Sequence, residues 1–119
     1  MAYRAIGQFR YRQKVELLRR GLEDESPACR GSALISLELL SRDHPGIVNS
    51  VRPALHTLAS HDDNEAVRRL AVLSLKNGSP QADTLTLLAH LAEEADEKDL
   101  RATAQSVHRA LKQKQTSRR

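Results

Sequence analysis

Side chains that could act as nucleophile, base or metal ligand are few and scattered along this chain. Cys29 is the single thiol and could be read as a nucleophile. The histidines are His44, His56, His61, His90 and His108. Zinc ligands on one helix need a spacing of about three or four so that both share a face. His56 and His61 are five apart, and no H-x-x-x-H or E-x-x-H pairing occurs. A phosphate loop would need clustered glycines, whereas Gly7, Gly21, Gly31, Gly46 and Gly78 are dispersed. The acidic run Glu93, Glu94, Asp96, Glu97 and Asp99 offers oxygens to a cation. It reads more simply as a solvated turn whose acids favour helix N-termini. The expectation is therefore no enzyme, no catalytic residue, no metal and no cofactor.

Composition constrains the elements that hold these residues. At 119 residues the chain is one domain at most. Apolar residues make up 39% and charged residues 29%, a globular balance rather than a disordered one. With aromatics at 3% and no Trp, the core must be aliphatic, which favours helices over a β-sandwich. One cysteine fits a reducing compartment, and no apolar run reaches membrane-spanning length, so a cytoplasmic location without membrane association is expected. Charge is uneven. Residues 1–20 hold six Lys/Arg against one Glu, a net +5, and residues 109–119 hold five Lys/Arg and no acid, another +5. The body between carries eight bases and fourteen acids, a net −6. The basic character belongs to the ends, not to a platform on the body.

Helical periodicity runs through nearly every segment between turn signals. Val15, Leu17, Leu18 and Leu22 share one face of a first segment. Ser26 and Pro27 mark the N-cap and first position of a second. Ile47, Val48, Val51, Leu55 and Leu58 pattern a third, which begins near Pro45 and which Pro53 should kink or break. "DDNEAVRRLAVLSL" forms the fourth. In "NGSP", Gly78 is expected to end that helix in a left-handed conformation, with Ser79 capping and Pro80 opening the fifth. "DEKDLRATAQSVHRALK" supplies the sixth. The fold class is all-α, with about six helices.

Aligning alternate segments exposes a repeat. "DESPACRGSALISL", "DDNEAVRRLAVLSL" and "ADEKDLRATAQSVH" each place an apolar residue before an arginine: Cys29-Arg30, Val67-Arg68 and Leu100-Arg101. Three positions later stand Ala33, Ala71 and Ala104. Six positions before the arginine stand Asp24, Asp62 and, breaking the pattern, Ala95. The arginines are 38 and 33 residues apart, in the period range of helical-hairpin solenoids. The pattern resembles the second helix of HEAT-type repeats of the phycobilisome-lyase-like group. The middle copy matches through Asp62, Asn64, Val67, Arg68, Ala71 and Leu75. The first has Cys29 in the apolar slot and Leu37 in the leucine slot. The third is degenerate, with Ala95 for Asp and His108 for Leu, as befits a terminal repeat.

The resemblance implies an α-solenoid of three helical hairpins over residues 11–112. Residues 1–10 form an N-terminal segment, helical or mobile, and residues 113–119 a basic tail. It also implies that Asp24, Arg30, Asp62, Arg68 and Arg101 form a structural ladder between repeats. Helical geometry puts Cys29, Ala33, Leu37 and Leu40 on one buried face, and Val67, Ala71 and Leu75 on its equivalent. By this register Cys29 is a packing residue. The opposite, concave face would carry Gly31, Ile35 and Glu38, then Arg69, Leu73 and Lys76, then Ala102, Ser106 and Arg109. Ile35 and Leu73 are apolar where a solvated face would be charged. A groove with aliphatic anchors and a charged rim suits a partner helix or extended peptide. A second copy of this chain or the N-terminal helix would fit the same residues.

The first functional reading is thus a non-catalytic adaptor with a protein or peptide partner. The second is phosphate-backbone binding to nucleic acid by Arg10, Arg12, Lys14, Arg19, Arg20, Lys112 and Lys114, if the fold brings the basic ends together. The chain lacks the Trp residues that HEAT-like DNA glycosylases place around an extruded base, so repair chemistry is not expected. A third reading, an accessory subunit of a modifying enzyme such as a bilin lyase, follows from the resemblance alone.

Overall fold

The computed structural model describes the backbone of residues 2–117 and the side chains of residues 10–117. Every regular element among the described residues is a helix. In chain order they are α1 (Ala2–Leu22), α2 (Pro27–Asp43), α3 (Gly46–Ser50), α4 (Arg52–His61), α5 (Glu65–Leu75), α6 (Ala82–Glu94) and α7 (Lys98–Ser117).

Local chemistry sets the boundaries. Ser26 caps α2 by accepting the Cys29 N–H at 3.4 Å, and Pro27 opens the helix, where no amide donor is needed. Asn64 caps α5 by accepting the Val67 N–H at 3.1 Å. The third segment is broken as Pro53 requires. Val51 leaves helical geometry at φ −117° and ψ 16°, and Pro53 lies in the first turn of α4. That break yields seven helices among the described residues where the periodicity gives six.

The turn at "NGSP" differs from expectation. No glycine there has a positive φ, so Gly78 does not end α5 in a left-handed conformation. It is needed for proximity instead. A Cβ on Gly78 would lie 2.8 Å from Val48 Cγ1 and 3.0 Å from an Arg52 guanidinium nitrogen. Ser79 and Pro80 do not start the next helix either. α6 begins at Ala82 after an extended Gln81, because the Ser79 hydroxyl is engaged with Asn49 and Arg52.

The helices pack as α1 on α2, α4 on α5 and α6 on α7. α5 also packs against both α2 and α7, while α1 touches α4 and α4 touches α6. The result is two layers, α1–α4–α6 and α2–α5–α7. The smallest extent of 19 Å is what two helices at about 10 Å spacing produce. One aliphatic core runs through the slab, including Leu37, Leu55, Leu75, Leu88, Leu100 and Leu111.

Ala33, Ala71 and Ala104 are all buried, as are Leu37, Val67 and Leu75, and Leu40 is half-buried against the core. In α7 the buried series is Leu100, Ala104, Val107 and Leu111, and His108 is only half-buried. Cys29 contradicts the register: it is exposed. It lies in the first turn of α2, where Pro27 and Ala28 are exposed as well, so the packing role assigned to it is lost. Backbone helix runs from Ala2, through the segment taken as the N-terminal extension, and the basic tail is helical as far as Ser117. Side chains of residues 1–9 and 118–119 lie outside the described set.

Candidate binding surfaces

The repeated arginines join consecutive elements, each in its own way. Arg30 reaches Asp62 thirty-two residues away through two bonds, Nε to Oδ2 at 2.7 Å and a terminal nitrogen to Oδ1 at 3.1 Å. The fork geometry matches a carboxylate, and the Asp62 side chain is only 3% exposed. Arg30 also donates to the carbonyls of Asp24 and Glu25. The Asp24 carboxylate stays local, accepting the Ser26 N–H. Arg68 makes no carboxylate pair. It donates to the carbonyls of Ala59 and Ser60, satisfying acceptors at the C-terminal end of α4. Arg101 does the same for Ala95 and Asp96 after α6. Arginine at this position therefore seals the preceding turn, and only Arg30 adds an ion pair between hairpins.

On the second-layer helices, the proposed concave residues divide into exposed and engaged. Ile35 is 54% exposed on α2 and Leu73 46% exposed on α5, at the same register of two helices packed side by side. Leu39, at 54%, extends the apolar surface along α2. Lys76, Ala102, Ser106 and Arg109 are exposed. Glu38 pairs with Arg42 at 3.2 Å one turn on. Arg69 is not a free rim charge, since it is ion-paired with Glu97 in the turn before α7. That contact also corrects the acidic run: Glu97 is a half-buried partner of α5, not part of a solvated turn.

A polar cluster that sequence reasoning missed lies between α4 and α6. Arg52 is 5% exposed and has no carboxylate within ion-pair distance among the described residues. One terminal nitrogen donates to the Thr84 hydroxyl at 2.7 Å, the other to Ser79 at 3.1 Å and to the Asn49 carbonyl oxygen. Its Nε is buried without a partner. Burial pushes the guanidinium pKa down, and the Asp83 carboxylate opposes this. His56 Nε2 lies 2.8 Å from the same Thr84 oxygen. Because Thr84 accepts from Arg52, its own proton is left for an unprotonated Nε2. Burial lowers the His56 pKa below its ordinary value, the Arg52 charge adds to this, and Asp83 works against it. A signal was present: Arg52 stands four after Val48 and three before Leu55, both core residues, where the pattern calls for an apolar side chain.

A groove of about 780 Å³ lies between the C-terminal part of α1, the following turn, and α4 with its own turn. Leu22, Val51, Ala54 and Leu58 line it, and acids of the two turns form its rim. The basic side chains assigned to phosphate do not converge. Arg10, Arg12, Lys14, Arg19 and Arg20 are exposed on α1, and Lys112 is exposed on α7. α1 packs on α2 and α4 and α7 on α5 and α6, so these sets occupy opposite ends of the stack. Lys114 donates to the carbonyls of Lys76 and Gly78.

No group of histidine, cysteine and carboxylate side chains with metal-binding geometry occurs among the described residues. No helix there is long and apolar enough to cross a membrane. No family model matches the chain, and no curated protein or solved structure is significantly similar to it.

Proposed function

We propose that this protein is a small HEAT-like α-solenoid, a cytoplasmic adaptor without catalytic activity, whose second-layer helices bind a partner protein or peptide. The observation that carries the reading is the apolar surface of Ile35, Leu39 and Leu73 on two adjacent helices. Single exposed leucines are ordinary, but large aliphatic side chains at one register of neighbouring helices form a contiguous anchor. The repeated sequence pattern and the pairing of helices into hairpins support the solenoid assignment. Arg109, Lys76 and Ser106 would supply the polar rim, and the paired Arg69 and Glu38 its fixed charges.

The test compares wild-type protein with Leu73→Glu as bait in host lysate, after nuclease treatment, at low and moderate salt. The expected result is a stoichiometric protein that survives nuclease and moderate salt with wild type and is lost with Leu73→Glu. Leu73 is partly exposed, so the variant should retain its helical circular dichroism. Equal recovery by both baits would overturn the reading, as would capture of nucleic acid alone.

A further inference from the structure

The groove between α1 and α4 carries a charge that the helical face described above does not use. Its lining contains Glu23, Asp24, Glu25, Asp62 and Asp63 against Arg19 and Arg30, five acids and two bases, for a net −3. The bases are already committed, Arg19 to Glu16 and Arg30 to Asp62. Glu23, Glu25 and Asp63 are exposed and make no ion pair among the described residues. Three uncompensated carboxylates therefore rim an apolar floor.

A surface of opposite sign lies at the other end of the molecule. The last turns of α7 present Arg109, Lys112, Gln113, Thr116 and Ser117 around a shallow depression of about 510 Å³, with no acid in its lining. Arg109 and Lys112 are both exposed. α7 packs on α5 and α6, whereas the groove belongs to α1 and α4, so one copy cannot bring its own two surfaces together. The basic side chains of α1 are a poorer match, because Glu16 stands among them and pairs with Arg19.

We propose that the acid-rimmed groove receives the basic C-terminal turns of α7 from a second copy of this chain, in a weak head-to-tail contact. Opposite charge supplies encounter and register, and the groove floor supplies apolar area once water is expelled. Because the two surfaces differ, the contact is heterologous and does not close at two copies. The assembly grows with concentration.

Charge exchange tests this directly. Sedimentation velocity of the full chain over a concentration series should show mass rising with concentration at low salt, and the association weakening about tenfold in 0.3 M salt. Glu23→Lys with Asp63→Lys, and separately Arg109→Glu with Lys112→Glu, should each sediment as monomer. Mixing the two variants should restore association, since each then meets the opposite charge on the other. All four positions are exposed, and unchanged circular dichroism confirms folding. Leu73→Glu should associate like wild type, which separates this contact from the apolar anchor of the adaptor face. Arg109 belongs to both surfaces, so Lys112→Glu alone should also weaken association. Wild type that stays monomeric at low salt, reversals that leave association intact, or folded variants that fail to associate on mixing would each overturn the proposal.

Discussion

Arg52 and His56 share one acceptor, the Thr84 hydroxyl, and that arrangement has a pH consequence. The hydroxyl can serve a cationic Arg52 and a neutral His56 together. A protonated His56 would place a second positive charge at the same oxygen, in a site already poor in solvation. Asp83 is the carboxylate acting on both, and it only partly offsets the burial. The folded pKa of His56 therefore lies below its unfolded value of 6.5. As pH falls past that value the unfolded chain takes up the proton first, so folding loses stability towards acid and keeps it fully above 6.5. His56→Leu removes the titration. The difference in unfolding free energy between wild type and variant, measured in urea from pH 7 to pH 5, should shift steadily against wild type. A difference that does not change with pH would show that His56 is equally free to protonate in the fold. Arg30 illustrates the opposite case, a guanidinium half-hidden but matched by a carboxylate and two carbonyls.

At the scale of elements, α5 is the helix on which most packing depends, since it contacts α4, α2 and α7. Ala71 is fully buried on it. A leucine there would force the surrounding helices apart, and Ala71→Leu should cost about 1–3 kcal/mol, read as a lower urea midpoint with unchanged slope. An unchanged midpoint would mean that the helices do not approach closely at this alanine. The three buried alanines were legible in the sequence because their period is a helical one and their neighbours are aliphatic. Cys29 was not. Register gives the direction in which a side chain points but not whether a neighbouring element extends far enough to cover it, and the first turn of α2 is left exposed at Pro27, Ala28 and Cys29. The turn at Gly78 failed for a related reason. Glycine just past a helix end signals freedom at φ, yet here the missing Cβ makes room for Val48 and Arg52, residues 30 and 26 positions away. The groove was invisible because its rim comes from two turns, at 23–25 and 61–63, that meet only after the hairpins stack.

Across the whole molecule, packing passes from one hairpin to the next, and the hairpins are not equally supported. α4 and α5 have neighbours on both sides, α1 on α4 and α2 on α5, with α6 and α7 beyond. The end hairpins have one inner face each. They also differ from one another. α7 buries Leu100, Ala104, Val107 and Leu111 along its length, whereas the described part of α1 buries Val15, Leu18 and Leu22 and exposes Leu17. Neighbour-to-neighbour stacks open from the least supported end, because a terminal unit can leave without disrupting the contacts of the others. Native-state hydrogen exchange should therefore rank the helices, with amides around Val72 in α5 slowest, those around Val107 in α7 intermediate, and those around Val15 in α1 fastest. The α1 amides should open with a small dependence on denaturant, since little surface is exposed when that helix leaves, and the α5 amides with the dependence of global unfolding. Equal protection in α1 and α5, with one common denaturant slope, would mean that the seven helices unfold as one unit. It would also imply that the α1–α4 contact couples the ends more strongly than its small buried surface suggests. The same experiment tests the groove, because its two walls, α1 and α4, belong to units of unequal stability. Opening of α1 would dismantle the acid rim at Glu23 and Glu25 while leaving Asp63 in place.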